Sequence, residues 1–194
     1  LAGHINLPMV IPDDHTMTSE DPVERASLLA AMQYQEHESG YSKQQSTRPQ
    51  TLAYALADSP VGQMSWIVEK YAQWTDCEDS GARHPENAIQ RDVLLDIVTH
   101  YWMTNTAGSS ARLYWESFNQ PDYRPIEAPM GLSLFPRELF LCSKRLAKTR
   151  YQQLVMFNNA HQRGGHFASL EQPEALVRDI RDWHSAFQSL EKVE

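Results

Sequence analysis

The stretch best suited to chemistry lies near the C-terminus, where His166 directly follows Gly164 and Gly165. Glycine allows backbone conformations that other residues avoid, so the side chain after it can be aimed into a cleft instead of being packed. A helix is expected to follow at Pro173, since a proline flanked by carboxylates is typical of a helix start. The pattern predicts His166 as a general base on a loop, with a capping or packing role as the alternative.

A carboxylate that could serve this histidine stands earlier in the chain, at Glu138. Short apolar runs at 130–135 and 153–158 precede the two residues and predict two buried strands. Active groups in open α/β sheets lie on loops at the carboxyl ends of strands, so the two side chains can meet if these strands are neighbours. A carboxylate that accepts from one imidazole nitrogen fixes the tautomer and stabilises the imidazolium. The order acid, then histidine, fits hydrolases with the order nucleophile, acid, histidine.

The nucleophile of such a hydrolase is missing from the sequence. A nucleophile elbow has the pattern glycine, any residue, nucleophile (Ser, Cys or Asp), any residue, glycine. This pattern does not occur in the 194 residues. The segment Gly108-Ser109-Ser110 lacks the closing glycine and lies in a region with helical periodicity. The sequence therefore predicts an acid and a base without the group that they would serve.

Composition narrows the function classes. The chain has 17 Lys and Arg against 25 Asp and Glu, a net charge of −8, which argues against nucleic acid or an anionic membrane as the main partner. It contains no apolar run of transmembrane length.

Cys77 and Cys142 stand far apart and are expected to be free thiols in a reducing compartment, which favours the cytoplasm. Leu1 at the start is what a fragment or a processed chain would show.

Periodicity predicts a strand, a long helical insertion and a return to α/β structure. A strand is expected at about 2–6, a helix at about 22–38 ended by Gly40, and a loop or single helical turn at 39–49. Further helices are expected from Ser59-Pro60, over 93–102 and from Ser109, with Gly108 as the separator. The predicted fold class is α/β, the second half of an α/β sheet with a helical cap inserted after its first strand. The expected domains are 1–17 (core strand and entry to the cap), 18–122 (cap) and 123–194 (C-terminal part of the core).

Motifs along nearly the whole chain resemble those of one family. The chain is similar to the C-terminal half of α/β-hydrolase-fold epoxide hydrolases of the microsomal and juvenile-hormone type. The matching segments, in family order, are Gly3-His4-Ile5-Asn6, Glu38-Ser39-Gly40-Tyr41, Gln45-Ser46-Thr47-Arg48-Pro49-Gln50-Thr51, Asp58-Ser59-Pro60-Val61-Gly62, Trp66-Ile67-Val68-Glu69-Lys70, Tyr101-Trp102, Phe135-Pro136-Arg137-Glu138 and Arg163-Gly164-Gly165-His166-Phe167-Ala168. Each segment alone is a weak signal, whereas the ordered set is highly specific.

The resemblance implies epoxide hydrolysis to a vicinal diol through a covalent alkyl-enzyme ester. In that scheme His166 activates water, Glu138 orients the histidine, and Tyr41 and Tyr114 hydrogen-bond the epoxide oxygen from the cap. Ring opening leaves an alkoxide, and a phenol with a pKa of about 10 can protonate it while staying neutral at physiological pH. From the residues alone, either tyrosine would be a packed aromatic side chain. The implied substrate is a small apolar epoxide, and no cofactor or metal is implied.

The resemblance also implies where the missing parts belong. The family's nucleophilic aspartate, on a Gly-Gly-Asp-Trp-Gly elbow, and its oxyanion loop would both precede Leu1. We therefore expect a partner, an N-terminal half on a separate or cleaved chain, which carries the nucleophile and completes the sheet edge in a heterodimer. The alternatives are a non-catalytic or regulatory subunit, and an epoxide-opening cyclase on the same scaffold.

Overall fold

The structure, a computed structural model, describes residues 1–191. Its helices and strands are, in chain order, β1 (Gly3–Ile5), α1 (Asp14–Thr18), α2 (Pro22–Gln33), a π-helical turn (Tyr34–Glu38), α3 (Gly40–Thr47), α4 (Pro49–Asp58), α5 (Pro60–Trp74), β2 (Glu78–Asp79), β3 (Ala82–Arg83), a 3-10 turn (Pro85–Asn87), α6 (Arg91–Thr104), α7 (Ala107–Phe118), β4 (Met130–Ser133), α8 (Lys144–Arg150), β5 (Leu154–Asn158), α9 (Ala168–Glu171) and α10 (Pro173–Glu191). Among these described residues, no helix is both long and apolar enough to cross a membrane.

The chain divides into two compact units. The first, the sheet unit, comprises Leu1–Gln33, Trp74–Asp76 and the chain from Tyr123 onward, and the second, the helical unit, comprises Tyr34–Gln73 and Cys77–Asp122. These bounds separate two regions that each make most of their contacts internally. The boundaries expected above for a cap at 18–122 stay a prediction.

The sheet unit contains a parallel three-stranded sheet in the order β1-β4-β5. Ile5 pairs with Leu132, and Ser133 at the end of β4 pairs with Asn158 at the end of β5. The α/β class and the adjacency of the two strands before Glu138 and His166 are as the sequence predicted. Of the three strands only β4 is fully buried, because it lies in the middle, whereas β1 and β5 are half-buried.

The core of the sheet unit forms where β4 meets α8. Its buried members are Met130, Leu132, Leu134, Cys142, Leu146, Ala147 and Tyr151. Both cysteines are free and only 1% exposed, in agreement with the sequence interpretation as free thiols. Burial raises the pKa of the Cys142 thiol to about 12, so this thiol stays protonated and unreactive.

In the helical unit, α7 packs against α3 and α4. Ala111 on α7 is fully buried, and small residues such as this one allow helices to approach closely. Side chains also join these helices, since Asn119 Nδ2 donates to the backbone oxygen of Ser46. The helical unit thereby fixes the faces of α3 and α7 relative to each other.

Two glycines do not act as the sequence suggested. Gly40 begins α3 instead of ending the preceding helix, so the segment 39–49, predicted as a loop or single turn, is mostly helical. Within these turns, Ser39 and Ser42 donate their hydroxyl groups to nearby backbone carbonyls. Gly108 lies inside α7, and the break before it is made by Asn105 in a left-handed conformation (φ 51°). Asparagine tolerates that conformation better than most residues.

We predict that Gly131→Ala destabilises the protein by about 1–3 kcal/mol through overpacking. A methyl group at Gly131 would lie 2.4 Å from the Trp183 ring of α10 and 2.8 Å from the His4 ring. The measurement is the free energy of unfolding in denaturant. Gly3→Ala on the neighbouring strand is the control, because its methyl group meets only the flexible end of Met130, with Sδ at 3.1 Å. Equal losses in the two variants would contradict the packing argument.

Candidate active site

The loops after β4 and β5 remain paired beyond the strands. Leu134 N donates to Asn158 O at 2.7 Å, and Arg137 N donates to Gly164 O at 3.0 Å. Arg137 and Gly165 form an isolated parallel bridge. These contacts hold the two loops side by side and bring the residues that follow them together.

Glu138 and His166 meet at this point. The Nδ1 atom of His166 lies 2.7 Å from Glu138 Oε1, which also accepts from the backbone N–H of Leu139 at 2.7 Å. Glu138 is 5% exposed, whereas the His166 side chain is 21% exposed. A carboxylate accepts hydrogen bonds, so this contact places the proton on Nδ1 and leaves Nε2 as the basic nitrogen. The arrangement suits a histidine that takes a proton from a bound molecule.

Aromatic edges hold the imidazole ring from two sides. The ring centroid of Trp74 lies 5.2 Å from that of His166, and the centroid of Phe167 lies 5.0 Å away, both with nearly perpendicular planes. Edge-to-face contacts of this kind are favourable. Together with the Glu138 hydrogen bond they restrict the rotation of the ring.

The two glycines before His166 are needed for different reasons. Gly164 has φ 105°, a backbone conformation that side chains disfavour, as the sequence predicted for this turn. Gly165 is needed for close approach, because a methyl group there would lie 2.5 Å from the backbone oxygen of Trp74. That same oxygen accepts from the backbone N–H of His166 at 2.9 Å. Gly165 thus lets the histidine backbone dock on the end of α5.

Asp76 anchors the start of this loop. Its Oδ2 accepts from Arg163 Nε and from the backbone N–H of Gly164 at 3.1 Å. Burial pushes the pKa of Asp76 upward, but the hydrogen bonds from Arg163 and Gly164 outweigh that effect and leave the pKa below its ordinary value. The carboxylate is therefore charged at neutral pH.

A second carboxylate, Glu171, joins the loop to the same segment. Its Oε1 accepts from Phe167 N at 3.0 Å, and its Oε2 accepts from Asp76 N at 2.7 Å. Sequence reasoning missed both anchors. Glu171 was interpreted only as a carboxylate beside the helix start at Pro173, and the position of Asp76 in an irregular segment carried no signal.

A third buried carboxylate, Asp179 on α10, ties together the ends of both strands. It accepts from Ser133 Oγ at 2.5 Å, from Asn158 Nδ2 at 3.0 Å and from His161 Nε2 at 2.7 Å. Burial opposes its charge, but these hydrogen bonds keep its pKa below the ordinary value. His4 joins this cluster through Ser133 Oγ at 3.0 Å.

Tyr41 and Tyr114 meet in the helical unit. Tyr41 on α3 and Tyr114 on α7 have ring centroids 5.7 Å apart in an edge-to-face arrangement. The Tyr34 hydroxyl lies 3.4 Å from that of Tyr41, and Lys70 Nζ lies 4.8 Å above the Tyr41 ring. Burial is the main cause that raises the pKa of both Tyr41 and Tyr114. Both are therefore neutral phenols that can donate a hydrogen bond.

The structure thus brings the four predicted site residues together as two pairs. Glu138 and His166 are in contact in the sheet unit, and Tyr41 and Tyr114 are in contact in the helical unit. Sequence reasoning did not identify Tyr34 or Lys70 beside the phenols. Within residues 1–191, no group of three or more His, Cys, Asp or Glu side chains could hold a metal ion.

Comparison with known proteins gives consistent matches. The chain is 45% identical over 184 residues to a Stigmatella aurantiaca protein named "Putative epoxide hydrolase", covering 94% of this chain and 41% of that protein. It is 39% identical over 155 residues to epoxide hydrolase 1 of Sus scrofa, covering 74% of this chain and 33% of that protein. The crystal structure of juvenile hormone epoxide hydrolase from Bombyx mori matches with a TM-score of 0.85 and 26% identity, over 98% of this chain and 50% of that chain.

These matches identify the fold as that of α/β-hydrolase epoxide hydrolases. The chain spans less than half the length of the curated relatives reported above. No protein-family model matches the chain.

We predict that Tyr41 and Tyr114 resist ionisation in the folded protein. Their raised pKa values mean that the contribution of both phenols to stability is present below pH ~10 and is lost as the pH rises further, because the unfolded phenols ionise there. Alkaline titration followed by phenolate absorbance checks this. The double variant Tyr41→Phe, Tyr114→Phe should leave the absorbance change near pH ~10 unaltered.

The control for this titration is Tyr54→Phe. Tyr54 is 69% exposed, so this variant removes a phenol that is in contact with water. A smaller absorbance change in the double variant would show that the buried phenols ionise in the ordinary range.

Proposed function

We propose that this chain supplies the water-activating pair and the epoxide-binding phenols of an enzyme that hydrolyses a small apolar epoxide to a vicinal diol. The chain corresponds to the C-terminal part of α/β-hydrolase-fold epoxide hydrolases of the microsomal and juvenile-hormone type. The reaction proceeds through a covalent ester between the enzyme and the opened epoxide. The single observation that carries the proposal is the 2.7 Å contact between His166 Nδ1 and the buried Glu138 carboxylate.

The acid and histidine act in the second half of the reaction. A water molecule loses a proton to His166 Nε2 as its oxygen attacks the ester carbonyl carbon, and the negative Glu138 stabilises the imidazolium that forms. Collapse of the tetrahedral intermediate breaks the bond to the diol oxygen, which takes the proton of the imidazolium, and the carboxylic acid left on the enzyme loses its proton, which restores the phenol that ring opening deprotonated. The short hydrogen bond to Nδ1 supports this role because it leaves Nε2 unprotonated and oriented.

The two phenols act in the first half of the reaction. A carboxylate attacks one epoxide carbon, the carbon–oxygen bond breaks, and the developing alkoxide takes a hydrogen bond and then a proton from Tyr41 or Tyr114. The raised pKa values support this role, since both phenols carry their protons at the pH of the reaction. Their mutual contact lets two donors share one oxygen.

The nucleophilic carboxylate comes from outside the 194 residues, which contain no nucleophile elbow. The relatives that the chain matches are more than twice its length, so they have room for such a segment. The resemblance implies an aspartate on a Gly-Gly-Asp-Trp-Gly elbow in an N-terminal part, on the same chain or a partner chain. The proposal requires this part to be present in every assay of turnover.

We predict that His166→Ala blocks ester hydrolysis and lets the covalent intermediate accumulate. Loss of a general base typically lowers the rate of its step by about 10²–10⁴-fold. Mass spectrometry of the protein after incubation with an epoxide, with the nucleophile-bearing part present, measures the adduct. His184→Ala on the exposed side of α10 is the control and should turn over normally. Unchanged turnover in His166→Ala would remove this residue from its role.

We predict that Tyr41→Phe and Tyr114→Phe slow ester formation instead. Each single variant should lose about tenfold or more in the rate of ring opening, and the double variant about 10²–10⁴-fold, because no proton donor then faces the alkoxide. Single-turnover kinetics of adduct formation measures this step. Tyr54→Phe removes an exposed phenol and should have no effect. A double variant with wild-type rates would refute the assignment of the phenols.

A further inference from the structure

Three backbone N–H groups around the histidine are hydrogen-bonded outside regular secondary structure. The N–H of Gly164 donates to Asp76, that of His166 to the Trp74 carbonyl, and that of Phe167 to Glu171. Two carboxylates and one carbonyl therefore hold the backbone on both sides of the His166 imidazole.

Glu171 is central to this arrangement because its two oxygens serve different segments. Oε1 accepts from the histidine loop through Phe167 N, and Oε2 accepts from Asp76 N in the segment that follows α5. Glu171 thus orders Asp76, which in turn holds Gly164. Loss of Glu171 would remove the hydrogen bond to Phe167 N and would also weaken the hold of Asp76 on Gly164.

The chemistry of the group explains why a carboxylate is required here. An ionised carboxylate has two acceptor oxygens and no donor, whereas an amide has one acceptor and one donor group. A glutamine would therefore turn an N–H group toward a backbone N–H at one of the two contacts. Burial raises the pKa of the Glu171 carboxyl, and the backbone N–H donors around it oppose that effect only in part.

The consequence of this arrangement falls on the ring of His166. Glu171 holds the residue after the histidine through Phe167 N, and the segment that it binds through Asp76 N supplies the Trp74 carbonyl to the His166 backbone. The imidazole is then presented to Glu138 at 2.7 Å. A misplacement of about 1 Å at a catalytic group can cost about 10²-fold in rate.

We propose that Glu171 is a positioning residue for His166, a clamp whose two oxygens join the histidine loop to the Trp74–Asp76 segment and so set the geometry of the Glu138–His166 hydrogen bond. The importance of this clamp for turnover rests on the function proposed above. The clamp itself is a statement about geometry that can be tested without any substrate.

The substrate-free test compares Glu171→Gln with Glu174→Gln, which removes the same charge from an exposed position in the first turn of α10. The readout is the NMR signal of the His166 Nδ1–H proton, assigned by its absence in His166→Ala. Glu171→Gln should move this signal upfield or broaden it, while Glu174→Gln should leave it unchanged. An unchanged signal in a folded Glu171→Gln protein overturns the proposal.

The kinetic test uses the protein with its nucleophile-bearing part. Glu171→Gln should slow hydrolysis of the ester by about 10- to 100-fold while ester formation stays within about twofold of wild type. Equal slowing of both steps would indicate general destabilisation and overturn the positioning role. If His166→Ala traps no ester, the proposed function fails, and the NMR comparison still decides whether the clamp exists.

A second variant covers the case in which Glu171→Gln does not fold. Glu171→Asp keeps the charge and both acceptor oxygens but is shorter by one methylene group. It should retain the downfield signal in part and should hydrolyse the ester faster than Glu171→Gln where both fold. A Glu171→Asp protein that loses stability but keeps the wild-type His166 signal would overturn the clamp.

Discussion

The parallel pairing of β4 with β5 is the constraint on which the rest of the sheet unit depends. Because the pairing continues past the strands, through Leu134 with Asn158 and Arg137 with Gly164, the two following loops leave the sheet in register. Glu138 and His166 can then form a short hydrogen bond although neither lies on a strand. A shift of one residue in this pairing would turn every following side chain to the opposite face.

Besides Asp76, three buried or half-buried carboxylates gather near the carboxyl end of this sheet. Glu138 accepts from an imidazole and a backbone N–H, Glu171 accepts from backbone N–H groups, and Asp179 accepts from side chains of both strand ends. Each charge is costly to bury but orders what surrounds it. The other oxygen of Glu138 is buried with no hydrogen-bond partner among the described residues, so the acid of the pair is not fully hydrogen-bonded.

The parts of this arrangement that depend on local pattern could be predicted from the sequence, and the parts that depend on distant contacts could not. Apolar runs marked β4 and β5, and the paired glycines marked the turn before His166. Asp76 meets its partners 87 to 95 residues away, and no periodicity links such positions. Gly40 shows the limit of local rules, since glycine is common just after helix ends but here begins a helix.

The burial of the two cysteines has a consequence for the function proposed above. Epoxides alkylate thiolates, so an accessible sulfur near the substrate would be modified irreversibly by the compound meant for turnover. Cys77 and Cys142 are each 1% exposed, and the Cys142 thiol has a pKa of about 12, which leaves almost no thiolate to attack. The fold thereby gives the chain a built-in resistance to suicide inactivation by its own proposed substrate class.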